Sequence, residues 1–163
     1  MPAAVLSPEI RQTKIERLRC FPDDLEAVVA GLSDHELYTA FIPNEWTVAQ
    51  IVHHLPDSHM HAYIRTRLIV TEYQPTLKQF DHDAWAKLTD YQLPIASSLV
   101  LLRNVHVRWC AVLDSLKPHA FARTGIHTAL GEMSIDNILL LISTTCDEHL
   151  GQIKRVLAAG RAG

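Results

Sequence analysis

Histidines on two segments with helical patterning are the side chains most able to do chemistry in this chain. His53 and His54 lie within residues 46–60, and His149 lies within residues 146–153. A neutral imidazole is the commonest metal ligand among side chains, so two such helices packed together could hold a metal ion. A lone helical histidine is more often a surface or hydrogen-bonded core residue, and this second interpretation stays open for each of them.

Composition limits the classes of function that the chain can have. Its 163 residues suffice for a single domain, residues 1–163, whose hydrophobic core needs no disulfide bonds or metal ions to be stable. With 15 basic and 18 acidic side chains the net charge is only -3, which disfavours nucleic acid and anionic membranes as partners.

The three cysteines show no CxxC spacing and no apolar leader is evident, so we expect a reduced, cytoplasmic protein. The longest apolar run is too short for a membrane span.

Hydrophobic periodicity predicts helices along most of the first half of the chain. Ser7 followed by proline starts the first helix, and Pro22 with two aspartates is expected to restart it. Thr47 and Gln50 form a capping box in front of the second long helix, which should run to about Glu72.

The second half of the chain continues the helical pattern around two irregular stretches. A long connection, residues 74–94, includes a short helix over residues 84–88 and is long enough to cross one end of a bundle. A third long helix follows and is closed by Pro118. Turn signals between residues 121 and 133 predict a loop or a small hairpin.

The last helix completes the predicted fold. Ser134 with Asp136 caps it, and its apolar positions continue to Val156. Four long amphipathic segments with modest connections predict an all-α four-helix bundle.

The helix that carries the histidine pair has a proline well inside it. Pro56 removes one backbone hydrogen bond, so we expect a kink near His54, where a ligand could sit. On a helical wheel His59 falls inside the buried arc and His54 falls on its flank, whereas His53 and Asp57 point elsewhere.

On the last helix, three side chains lie close to one another at helical spacing. Thr145 and His149 are one turn apart, as are Cys146 and His149, and metal ligands on helices use these spacings. Thr145 carries a hydroxyl, which is a poor ligand for zinc or nickel. Cys146 would be a good ligand as a thiolate, and its alternative role is that of a small core residue.

Four stretches of the sequence together resemble one protein family. They are EWTVAQIVHHLPDSHMHAYIRTRL, DHDAW, VHVRWCAVLDSL, and SIDNILL with the later EHLGQI. These stretches, within residues 33–156, are similar to the DinB/YfiT-like superfamily, and most closely to its YfiT-type branch of metal-dependent hydrolases, which is linked to bacillithiol S-transferases. The resemblance implies a four-helix bundle, often dimeric, with nickel or zinc on three histidines near one end.

The resemblance gives counterparts in this chain for two of the family's three metal-binding histidines. The first ligand is the histidine before leucine in HHL, which is His54 here, and the last is the second histidine of an His-x-x-x-His pair, which is His149. The first histidine of that pair corresponds to Thr145. Either Cys146, His59, Asp57 or a water completes the set, or the chain has lost the metal and kept the pocket.

Two functional hypotheses follow from the resemblance. The first is a metal-dependent hydrolase or thiol S-transferase that acts on a small molecule, with a low-molecular-weight thiol as a candidate second substrate, and that forms a homodimer. In it His54 and His149 bind nickel or zinc, Asp57 or His59 orients a ligand or moves a proton, and residues 79–85 shape the pocket. The alternative is a metal-free bundle that binds a ligand or a partner chain. In that case Asp57 is solvated and His59 belongs to the core.

Overall fold

Helices and one small sheet make up the computed structural model, which describes residues 4–162. The helices are α1 (Pro8–Val29), α2 (Asp34–Tyr38), α3 (Val48–Thr71), α4 (His82–Trp85), α5 (Ala96–Ser115) and α6 (Ile135–Ala162). The strands are β1 (Thr76–Leu77), β2 (Thr124–His127) and β3 (Gly131–Ser134), and short 3-10 helices cover Thr89–Gln92 and Pro118–Ala122. The four long helices confirm the predicted all-α four-helix bundle.

The long helices pack in an order that differs from their order along the chain. Helix α1 borders α5 and α6, and α3 borders the same two helices. Helices α1 and α3, which follow each other as long helices in the sequence, therefore occupy opposite corners of the bundle. Their apolar faces meet in one core that includes Phe21, Leu55, Trp109 and Ile153. Because α3 and α6 are neighbours, the two histidine-bearing helices share an interface.

Local capping explains where the helices begin. The Ser7 side chain accepts a backbone N–H of the first turn of α1. Thr47 and Gln50 form the predicted capping box, in which each side chain accepts the other residue's backbone N–H. Helix α3 then runs unbroken through Pro56 to Thr71, in agreement with the predicted end.

One local prediction was wrong and a second was right for only one of its two residues. Pro22 does not restart a helix, since α1 is continuous through it. The last helix is capped by Ser134, whose Oγ accepts the backbone N–H of Asn137. Asp136 is instead fully buried and accepts two hydrogen bonds, each 2.8 Å, from the Arg11 guanidinium. The carboxylate therefore joins α6 to α1.

The small sheet anchors the connection between α3 and α5, which we call the crossing segment (residues 74–94). The predicted hairpin is confirmed as the antiparallel pair β2 and β3. The crossing segment was predicted as irregular, yet it contributes β1, which pairs in parallel with β2 so that Leu77 lies opposite His127. The predicted short helix also begins earlier, at His82. The sheet holds this segment across the end of the bundle.

No helix formed by residues 4–162 is both long enough and apolar enough to cross a membrane. Cys20 is exposed, Cys110 and Cys146 are buried, and all three thiols are free.

Candidate functional site

A pocket of about 730 Å³ opens between α3, α6, the crossing segment and the hairpin. Four histidines from four different elements line it: His54 of α3, His82 of α4, His127 of β2 and His149 of α6. Imidazole is both a metal ligand and a proton carrier. The structure therefore gathers four imidazole side chains at one end of the bundle.

His54 and His149 face each other in this pocket, with ring centroids 5.3 Å apart. Nδ1–H of His149 donates to the carbonyl oxygen of Thr145 at 2.7 Å, so Nε2 keeps a free lone pair. His54 is 8% exposed, and its buried Nδ1 has no hydrogen-bond partner in residues 4–162. Burial, helped by the neighbouring His149 and His82, lowers the pKa of His54 to about 3. Burial also lowers the pKa of His149. Both rings are thus neutral at pH 7 and able to coordinate.

Aromatic rings fix the orientation of His54. The Trp46 ring meets it edge-on at 5.0 Å, and the Phe80 ring stacks at 6.2 Å with an angle of 27° between the planes. Trp46 lies just before α3 and Phe80 lies in the crossing segment. The crossing segment therefore closes over the histidine, and residues 79–85 do shape the pocket as predicted.

His82 was missed as a candidate from the sequence. Its ring lies edge-on to His54 with centroids 5.9 Å apart and also contacts Trp46 at 6.1 Å. The histidine is exposed at the first position of α4, where Asp81 caps the helix by accepting the N–H of Ala84. The only sequence signal was its place in the DHDAW stretch.

His127 and Arg65 were also missed, and both line the pocket. Nδ1 of His127 accepts the backbone N–H groups of Ala129 and Leu130, each at 3.2 Å, so the ring proton is on Nε2. That Nε2 is buried without a partner in the part of the chain that the structure describes, and so is Nε of Arg65. Burial lowers the pKa of the Arg65 guanidinium.

The residue in place of the family's third histidine does not act as a ligand in this arrangement. Thr145 lines the pocket, but its hydroxyl donates to the Ile142 carbonyl at 3.0 Å. Cys146, considered as a substitute ligand, is fully buried and does not line the pocket. Burial raises the pKa of its thiol to about 12, so it is protonated at neutral pH.

The structure places Asp57 apart from the histidine pair. Its carboxylate accepts a 2.7 Å hydrogen bond from the Tyr91 hydroxyl in a second, smaller cavity. His53 lines this cavity too and is buried, although the helical wheel directed it away from the core. Its Nε2–H donates to the Leu93 carbonyl at 2.9 Å and its Nδ1 lies 2.7 Å from Ser98 Oγ. The prediction for His53 was wrong because the crossing segment and the start of α5 cover that face of α3.

His59 is fully buried, in agreement with the wheel, and lies in the core. Its Nδ1 is 2.6 Å from Nε2 of His106, and its ring stacks on Phe21 with centroids 5.3 Å apart. Neither His59 nor Asp57 lines the pocket that holds His54 and His149. Their catalytic roles stay predictions.

The donor set fits two coordination positions of a divalent metal ion. The neutral imidazoles of His54 and His149 supply nitrogen donors, and the unpaired Nδ1 of His54 is an orphaned buried atom of the kind that a ligand satisfies. Within residues 4–162, however, no three His, Cys, Asp or Glu side chains are grouped so that they could hold a metal ion. Catalytic zinc sites have three protein ligands. A third protein donor, if a metal ion binds here, would therefore come from a side chain that moves.

Sequence comparisons place these observations in a family. The sequence profile of the DinB superfamily matches residues 17–153. A protein of Oceanobacillus iheyensis is 40% identical over 139 residues, which cover 85% of this chain and 81% of its own. A protein of Geobacillus kaustophilus is 42% identical over 144 residues, which cover 87% and 81%. Both carry the name "putative metal-dependent hydrolase".

A solved structure agrees with the sequence comparisons. YfiT from Bacillus subtilis, described as a probable metal-dependent hydrolase with an unusual four-helix bundle topology, superposes with a TM-score of 0.90 at 34% identity. The match covers 96% of this chain and 90% of that one. It confirms the resemblance found in the sequence. By its profile match, its relatives and its fold, the chain belongs to the DinB superfamily.

Proposed function

We propose that this protein is a metal-dependent hydrolase that acts on a small molecule, with His54 and His149 as two ligands of a nickel or zinc ion. The observation that carries the proposal is the pair of neutral imidazoles that face each other at 5.3 Å in an open pocket. The names of the relatives support it.

His82 is proposed as the third ligand, in place of the histidine that this chain lacks at position 145. Its ring is already 5.9 Å from that of His54. It is exposed, and no hydrogen bond to another residue of the range 4–162 holds the ring. A change of rotamer therefore breaks no polar contact. Placing the third donor on the crossing segment would couple metal binding to the closure of that segment.

The chain's own residues prepare the pocket for hydrolysis. A bound ion would lower the pKa of a water and polarise the substrate. The Thr145 carbonyl accepts Nδ1–H of His149, which fixes the ring and leaves Nε2 free. In metal sites the non-coordinating nitrogen of a histidine ligand commonly makes a hydrogen bond of this kind. Trp46 and Phe80 cover His54 and limit access of bulk water.

A thiol S-transferase is the second candidate for the reaction. A low-molecular-weight thiol would take the place of the nucleophilic water, and the 730 Å³ pocket has room for both a thiol and a small electrophile. The two reactions are separated by assaying electrophile consumption with and without added cysteine or another small thiol. Thiol-independent consumption supports the hydrolase, and thiol-dependent consumption supports the transferase.

Elemental mass spectrometry of protein purified without a histidine tag tests the metal proposal. We expect near-stoichiometric nickel or zinc that a chelator removes and that His54→Ala and His149→Ala abolish. His82→Ala should weaken binding by roughly tenfold or more, since a three-ligand site would lose one ligand. The matched control is His119→Ala, because His119 is exposed and lies outside the pocket.

Two outcomes would overturn parts of this proposal. Absence of metal after incubation with excess zinc and nickel would leave the alternative, a metal-free bundle that binds a small ligand or a partner chain. Unchanged affinity in His82→Ala, with loss in His149→Ala, would keep the metal and reject His82 as a ligand.

We further propose that the protein is a cytoplasmic homodimer. The exposed Val100 and Val107 lie two turns apart on one face of α5, where a second copy could cover them. Light scattering coupled to size-exclusion chromatography measures the mass. We expect twice the mass of one chain, and a reduction to one chain in the double variant Val100→Asp, Val107→Asp. A monomeric wild-type protein would contradict this proposal.

A further inference from the structure

Two hydrogen-bond donors of pocket-lining residues, Nε2–H of His127 and Nε–H of Arg65, have no acceptor within residues 4–162. We propose that they bind the carboxylate of the substrate, so that the pocket takes small carboxylic acids. The inference names the substrate class of the proposed hydrolase and so rests on that function. Binding of the carboxylate itself requires no metal.

The backbone around His127 determines which ring nitrogen carries the proton. The ring is 2% exposed, and its Nδ1 accepts the N–H groups of Ala129 and Leu130 in the turn between β2 and β3. These two bonds require a lone pair on Nδ1, so the neutral ring carries its proton on Nε2. An unpaired buried donor costs free energy, and a ligand oxygen would remove that cost.

Arg65 supplies the positive charge. Its Nη2 donates to the Lys78 carbonyl at 2.6 Å, which holds the guanidinium against the crossing segment. In the described part of the chain no Asp or Glu forms an ion pair with it, whereas the pocket's other arginine, Arg155, is paired with Glu45. Asp83 also lines the pocket but makes no such pair. The charge of Arg65 is therefore half-buried and uncompensated.

The two donors act on the same part of the pocket. Nη2 of Arg65 donates to the carbonyl oxygen of Lys78, and the preceding residue, Leu77, lies opposite His127 in the sheet, so the two groups are close. Arg65 also lies about three helical turns after His54, on the same face of α3. A carboxylate has two oxygens, one for each of the two N–H donors, and its negative charge complements the Arg65 cation.

Part of the remaining pocket wall is apolar. It consists of Trp46, Phe80, Leu130 and Leu141, which lie beside polar side chains such as Gln79 and Gln152. Apolar and aromatic side chains with a few placed polar groups are typical of sites for small organic ligands. The substrate would therefore be a carboxylic acid with an apolar body, held with its carboxylate at Arg65 and its reactive bond toward His54 and His149.

Calorimetric titration of the chelator-treated, full-length protein tests the proposal with phenylacetate and phenylacetamide. The two probes have the same apolar body and differ in charge. We expect phenylacetate to bind at least tenfold more tightly, and we expect Arg65→Met to abolish the difference. Arg67→Met is the matched control, because Arg67 belongs to the same helix but lies outside the pocket.

Three results would overturn the proposal: equal affinity for the two probes, no binding of either, or a preference that survives in Arg65→Met. Tighter binding of phenyl phosphate than of phenylacetate would reject a carboxylate in favour of a phosphate. If Arg65→Met does not fold, the wild-type protein gives the answer, because phenylacetate should shift the His127 Nε2–H resonance and phenylacetamide should not. Metal-free protein is used throughout, so failure of metal binding would leave these outcomes readable.

Discussion

His106 donates a hydrogen bond from Nδ1 to the carbonyl oxygen of Leu18. In a helix without proline this carbonyl would accept the N–H of the residue four positions later, but that residue is Pro22, which has none. Nε2 of His106 is then free to accept Nδ1–H of His59 at 2.6 Å. His106 of α5 thus occupies the carbonyl that Pro22 leaves unpaired in α1, and His59 of α3 donates to His106 in turn. This arrangement requires His106 to be neutral.

The neutrality of His106 predicts a loss of stability in mild acid. Burial lowers its pKa to about 4, against the ordinary value of 6.5 expected in the unfolded chain. Between these pH values the unfolded state binds a proton that the folded state does not, so stability falls as the pH drops. Urea unfolding should show a decline of about 1.4 kcal/mol per pH unit for each such histidine. His59, whose pKa burial lowers well below 6.5, adds to the same decline. A stability independent of pH between 6.5 and 4 would contradict this prediction.

Substitution of His59 separates a structural role from the catalytic role predicted for it. His59→Phe removes the donor to His106 and leaves a buried acceptor unpaired, so the free energy of unfolding should fall by about 1–3 kcal/mol. Metal content should not change, because His59 does not line the pocket. Unfolding and metal analysis on the same preparation check both. Loss of activity at unchanged stability and metal content would favour the catalytic role.

Thr145→His should strengthen metal binding. The new imidazole would stand one turn before His149 on α6 and line the same pocket, which adds a ligand at the spacing that helical metal sites use. We expect the dissociation constant for zinc to fall by roughly tenfold or more. Thr144→His is the control, since Thr144 is exposed and does not line the pocket. Equal affinities of the two variants would argue against a site at His149.

Asp136→Asn should be among the most destabilising changes of charge in the chain. The carboxylate is fully buried and is paired through two 2.8 Å bonds with Arg11, so its loss leaves a buried guanidinium uncompensated. We expect a cost of about 3–5 kcal/mol in the free energy of unfolding. Asp23→Asn breaks an exposed pair with Arg103 and should cost less than ~1 kcal/mol. Similar costs for the two variants would contradict this reasoning.

Sequence patterns identified the elements that depend on neighbouring residues. The capping box of Thr47 and Gln50, the hairpin before α6 and the four long helices follow from contacts within a few positions, and each is present. The pairing of His54 with His149 came from the family resemblance, and the structure brings the two rings together. Such features need no knowledge of how distant segments pack.

Only the tertiary structure decided which other side chains join the pocket. His82 and His127 line the same pocket as His54 because β1 pairs with β2 and so fixes the crossing segment over the bundle end. The same segment buries His53, and α5 brings His106 to the carbonyl that Pro22 leaves free. Periodicity describes one helix at a time. The surroundings of a side chain that faces another element are set by that element's position, which depends on the packing of the whole core.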